Sequence, residues 1–184
     1  FLGQIALRKS PVDRETAIAE FEICLKIAEE MENHNTYAVR LELGFQYLMA
    51  GDLTRAKPIV MDLWQETRLL APEVRKTYRA DALRNMSFLH LSQGSGFTAN
   101  NMMKLAMEEY DAAESPYSLK QFGRARAYVL RSDIVLRHGK GSADERKQMA
   151  IDRLEMANSL FEETVGLYHP ESADCQERLK HLKS

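Results

Sequence analysis

Leu43-Gly44-Phe45-Gln46-Tyr47, followed by Gly51-Asp52 and then by Ala56 and Val60, is the stretch whose reading decides the fold. Before the corner, Ala38, Leu41, Phe45 and Leu48 recur at three- and four-residue steps, which places them on one face of a helix. Gly51 suits the position just past a helix end and Asp52 the N-cap of the next helix, so two helices follow one another across a tight corner. Gly44 and Ala56 are small where those helices would cross, so their backbones can approach closely, and Leu43 and Tyr47 fill the space on either side.

The same grammar extends outward. Ser10-Pro11 with Asp13 predicts a helix start, and Ile18, Phe21, Leu25 and Ala28 continue its apolar face to about residue 33. Further helices are expected over 53–70, with Pro58 bending it, from Pro72 to about 93, over 98–113, from Ser115-Pro116 to about 139, and from Ser142 to about 168. Ser142 and Glu145 have the spacing of a capping box. His169-Pro170-Glu171 opens a last helix over 170–183 that carries Ala173, Leu179 and Leu182. No period-two strand pattern competes, so the expected class is all-α.

The order Leu-Gly, Tyr, Gly-Asp, Ala and a large apolar residue resembles the tetratricopeptide consensus. Carried forward, the resemblance matches Ser87, His90, Gly94, Ala99 and Met103 to Gly44, Tyr47, Gly51, Ala56 and Val60. It finds a third copy in Ser132, Val135, Gly139, Ala150 and Leu154, and a truncated first copy with Gly3, Ala17 and Phe21. Arg40 replaces the usual early aromatic residue, and the terminal proline comes late, as Pro72. The steps from Gly3 to Gly44, Ser87 and Ser132 are 41, 43 and 45 residues, longer than the roughly 34 of a typical unit. They look like the extended units of kinesin light chains, whose repeat start the segment from Tyr168 to Ala173 also resembles. The resemblance implies a right-handed α-solenoid of antiparallel helical hairpins, forming one domain over 1–184. Its repeats are 1–33, 35–71, 73–113 and 116–168, with a terminal helix over 170–183. Because the chain opens on Phe1 inside helix-like sequence, it is read as a fragment of a longer protein.

A superhelix of this kind lines its concave face with the first helix of each pair, a surface suited to an extended peptide. By resemblance the groove positions are Leu41, Glu42, Phe45, Leu48 and Met49 in one repeat. The next contributes Asp81, Arg84, Asn85, Phe88 and Leu91, and the third Arg126, Val129, Leu130, Asp133 and Arg137. Arg84 and Arg126 could pair with carboxylates of a ligand, and Asn85 could grip its backbone. The competing reading makes the two arginines solvated charges satisfied by neighbours such as Asp81 and Asp133, in exposed ion pairs that contribute only about 0 to 1 kcal/mol. Phe45 and Phe88 stand as groove contacts or as core between repeats. The lysine, asparagine and arginine clamp of the family's chaperone-binding members is incomplete, so chaperone binding is not expected.

Composition narrows the rest. Lys and Arg number 25 against 27 Asp and Glu, so no bulk positive field draws nucleic acid or an anionic membrane. No apolar run reaches the roughly 20 residues of a membrane span, and no signal-peptide pattern opens the chain. Cys24 and Cys175 lack metal or redox spacing, and two cysteines make no secreted framework, which favours an intracellular, cytoplasmic or nuclear setting. None of the five histidines has zincin spacing, Gly94-Ser95-Gly96 is no phosphate loop, and Ser87 and Ser132 have no oriented base. No cofactor, metal or reaction is therefore expected. The function expected is a protein-binding scaffold or complex subunit, with self-association through the solenoid ends. The alternative is a peptide-sensing domain that controls an effector module elsewhere.

Overall fold

The computed structural model describes residues 13–30, 36–70, 72–112, 117–166 and 169–184, with side chains left out at 72–77 and 117–119. Among the described residues the chain forms eight helices and no strand: α1 (Arg14–Glu30), α2 (Thr36–Met49), α3 (Leu53–Thr67), α4 (Pro72–Ser92), α5 (Gly96–Ala112), α6 (Tyr117–His138), α7 (Ala143–Thr164) and α8 (Pro170–Lys183). The all-α expectation is met. The expected start at Ser10-Pro11, the truncated copy's Gly3 and the cap at Ser115-Pro116 lie outside the described residues.

The corner between α2 and α3 forms as its residues dictate. Gly51 takes a positive φ of 74°, its N–H donates to the Leu48 carbonyl, and the Asp52 N–H donates to the Tyr47 carbonyl. Two carbonyls at the end of α2 are thereby satisfied, in the pattern that a left-handed residue past a helix makes possible. The Asp52 carboxylate accepts from the Arg55 N–H and caps α3. Gly94 and Ser95 repeat this corner between α4 and α5: φ is 78° at Gly94, whose N–H reaches Leu91, while the Ser95 N–H reaches His90. The corner after α6 is longer and ends in the expected capping box, with Ser142 and Glu145 bonded reciprocally.

Three boundaries shift. α3 stops at Thr67 rather than residue 70, where the Thr67 hydroxyl donates back to the Trp64 carbonyl. α5 starts at Gly96, and α7 ends at Thr164, just before Gly166 adopts a positive φ. α3 is continuous through Pro58, whose ring is on the exposed face, so the carbonyl it leaves without a donor can be hydrated.

Each helix packs on the next, and α4 additionally touches both α2 and α6. The small residues of the three expected copies are all buried: Gly44 and Ala56, Ser87 and Ala99, Ser132 and Ala150. A Cβ on Gly44 would meet the Val60 side chain at 3.2 Å, and the Ser87 hydroxyl donates to the Ala99 carbonyl at 2.7 Å. Small residues thus stand where adjacent helices approach. Around them, Leu43, Tyr47 and Val60 belong to one apolar cluster, Leu83, Met103 and Ile134 to a second, and Leu154, Phe161 and Cys175 to a third.

Candidate functional site

A cleft of about 310 Å³ opens where α2, α4 and α6 lie side by side. Its apolar lining comes from Phe45 and Met49 on α2, Phe88 and Leu91 on α4, and Val129 and Leu130 on α6. Arg14 on α1 and the polar face of α8, with Glu171, Asp174 and Arg178, complete its wall.

At the centre stands Arg126, whose side chain is 7% exposed. Its guanidinium donates to both carboxylate oxygens of Glu42, at 2.7 and 3.1 Å, and to both of Glu171, at 2.5 to 3.1 Å. It also lies over the rings of Phe45 and Phe122, 4.4 and 4.5 Å from their centroids. The residue therefore ties α6 to α2 and α8, between two anions and two aromatic faces. Burial acts to lower its pKa, but the pull of Glu171 and Glu42 outweighs burial and holds it well above the ordinary arginine value. For Glu42 burial acts upward, and Arg126 with the Gln46 amide reverses it, leaving the carboxyl below its usual range.

Arg84 is also internal. It donates to Asp81 at 2.6 Å, to the Tyr110 hydroxyl at 3.2 Å and to the Asn85 side-chain oxygen at 3.1 Å, and it lies 4.9 Å over Phe45. Its Nε is buried without an acceptor among the described residues. Tyr110 in turn donates to Asp81 at 2.5 Å, and burial first, with Asp81, holds the phenol well above its usual pKa. Asn85 uses its amide N–H to bond the Leu41 carbonyl at 2.9 Å, so it joins α4 to α2. Asp133 accepts from Arg178, and burial keeps its carboxyl above the usual range despite Arg178 and Arg137.

Of the residues picked from sequence, Phe45, Met49, Arg84, Phe88, Arg126, Asp133 and Arg137 line the cleft. Glu42 and Asp81 are the counter-ions of its two buried arginines, and Asn85 is a packed tie between helices. Leu41 and Leu48 are core residues. Phe45 and Phe88 meet edge to face at 6.2 Å, and each both packs in the core and borders the cleft. Arg84 does pair with Asp81, and Arg126 is met by Glu42 and Glu171 rather than by Asp133, but the two arginine side chains are 4% and 7% exposed, so neither is the solvated surface charge that the competing reading expected.

Sequence reasoning missed Arg14, Gln46, Glu171, Asp174 and Arg178. Arg14 donates to the Gln46 amide oxygen at 2.6 Å, and the Gln46 amide donates to Glu42 at 2.7 Å, which extends the network from α1 to α6. Glu171 is presented by the first turn of α8, where Pro170 follows the cap His169. No group of three or more metal-ligating side chains occurs among the described residues, and no described helix is long and apolar enough to cross a membrane. No family model, curated protein or solved structure matches the chain.

Proposed function

We propose that the chain is a tetratricopeptide-like right-handed solenoid of antiparallel hairpins that holds an extended segment of another protein against α2, α4 and α6. The observation that carries this reading is the cleft itself: α2, α4 and α6 share one surface lined by both apolar and charged side chains. The recurring glycine corners and the three buried small pairs support the repeat reading on which it rests. The cleft is at the lower end of the roughly 300–1,000 Å³ usual for ligand pockets, enough for a few side chains of a longer segment. Cys24 and Cys175 are free thiols, in keeping with work inside the cell.

A second reading, a structural subunit of a larger assembly, is favoured by one feature: α8 of the same chain takes up part of the groove by seating Glu171 on Arg126. The two are separated by site-resolved photo-crosslinking in cell extract, with benzoylphenylalanine placed at Met49 in the cleft or at Met156, half exposed on α7. A groove binder captures an extended segment from Met49 and not from Met156. Capture from Met156 alone would replace the groove with an outer-surface assembly contact.

A further inference from the structure

Helices α2, α6 and α8 meet at Arg126 without packing along one another. Each helix packs on the next in the chain and α4 packs on both α2 and α6, but neither α2 with α6 nor α6 with α8 forms an extended helix contact among the described residues. The Arg126 guanidinium spans both gaps, reaching Glu42 on α2 at 2.7 and 3.1 Å and Glu171 on α8 at 2.5 to 3.1 Å. A second ion pair, Arg178 with Asp133 at 3.2 Å, also joins α8 to α6. Between α2 and α6, Arg126 makes the one hydrogen-bonded bridge among the described residues. The same guanidinium lies over the Phe45 ring of α2 and the Phe122 ring of α6, and Phe45, which borders the cleft, is left 8% exposed.

In a stack of helical pairs, geometry is held by the contacts of adjacent units, so a bridge between helices that are not neighbours adds a constraint of its own. Without the Glu42 bond, the spacing of α2 from α6 rests on α4 alone. Packed helix faces interdigitate and resist displacement, whereas a charge-assisted bond made at side-chain tips is lost once donor and acceptor part by about 1 Å. We infer that Glu42 and Arg126 form a latch across the cleft. In the closed form, the one in this structure, the latch draws α2 toward α6 and Arg126 covers the Phe45 and Phe122 rings. In the open form the pair is parted, α2 swings away from α6 about α4, and the two rings face the cleft. This concerns the motion of the cleft itself, goes beyond the groove-binding reading and does not depend on it.

Double electron–electron resonance on the whole chain tests the latch. Nitroxides are attached at Ala38 on α2 and Ala173 in the first turn of α8, both exposed, with Cys24 changed to serine and the buried Cys175 left in place. With the latch intact the labels give one narrow distance. Glu42→Ala leaves Arg126 paired with Glu171, so no buried charge is stranded, and it adds a population longer by about 5 Å or more, the scale of a one-turn rearrangement between packed elements. Met107→Ala, which removes core volume around α5 away from the latch, lowers stability and keeps the narrow distance. If Glu42→Ala loses its helical circular dichroism, Glu42→Gln, which keeps the side-chain shape and removes the charge, gives the same reading. A folded Glu42 variant with the narrow distance unchanged, or equal widening in Met107→Ala, would overturn the latch and leave Arg126 as a stabilising ion pair only.

Discussion

Replacing Arg126 with methionine keeps much of the side-chain volume and deletes the one charge that, among the described residues, Glu42 and Glu171 share as a bonded partner. Two carboxylates would then face each other in a site where the arginine side chain was 7% exposed. Removing one member of a buried ion pair costs about 3–5 kcal/mol, because the partner left behind is charged and desolvated. For a chain of this size that corresponds to a fall in Tm of about 6–20 °C. The dependence on pH distinguishes this account from a simple packing loss. In the wild type the Glu42 carboxyl is held below its unfolded value, so its contribution to stability is present above about pH 4.3 and is lost as pH falls through the folded pKa. In Arg126→Met the burial that acts upward on Glu42 is opposed only by the Gln46 amide and Arg84, so the folded carboxyl should rise above its unfolded value, and lowering the pH from 7 to 5 should protonate it in part and relieve the penalty. Urea unfolding followed by far-ultraviolet circular dichroism at both pH values gives the comparison. The gap between variant and wild type should narrow at pH 5, and adding Glu42→Gln and Glu171→Gln to the variant should restore most of the loss at pH 7. A loss below about 1 kcal/mol, the scale of an exposed ion pair, or one unchanged between the two pH values, would refute the reasoning.

Two further substitutions probe how the site is held. Asn85→Ala removes the bond from α4 to the Leu41 carbonyl and an acceptor for Arg84, and should cost about 1–3 kcal/mol by the same unfolding assay. Gly123→Ala reverses the usual helix preference, under which alanine gains about 1 kcal/mol over glycine. A Cβ there would lie 2.7 Å from the Tyr110 ring, which is fixed by its bond to Asp81, so overpacking of about 1–3 kcal/mol should win and Tm should fall.

The elements of this fold were legible because their signals are local. Gly51-Asp52 and the capping box at Ser142 act within a few residues, and the apolar steps of Ile18, Phe21 and Leu25 need only a helix to be read. The resemblance to tetratricopeptide repeats also put Phe45, Phe88, Arg126 and Arg137 among its expected groove positions, and all four line the cleft. The ion-pair pattern was not legible. Arg126 bonds residues 84 and 45 positions away, and that choice depends on how α8 packs on α7, where the Cys175 thiol donates to the Leu154 carbonyl. Gly123 carried no corner or cap signal either; its role exists only because the Tyr110 ring crosses it.

The most direct test of groove binding is a methyl NMR titration of the chain, labelled at its methionine methyl groups, with a synthetic peptide of the segment captured from Met49 by photo-crosslinking. Met49 borders the cleft, whereas Met61 on α3 and Met156 on α7 are exposed outside its lining. The account predicts a saturable shift of the Met49 methyl with Met61 and Met156 unmoved. Shifts at Met61 or Met156 with Met49 silent would contradict it and place the binding surface on the other helices.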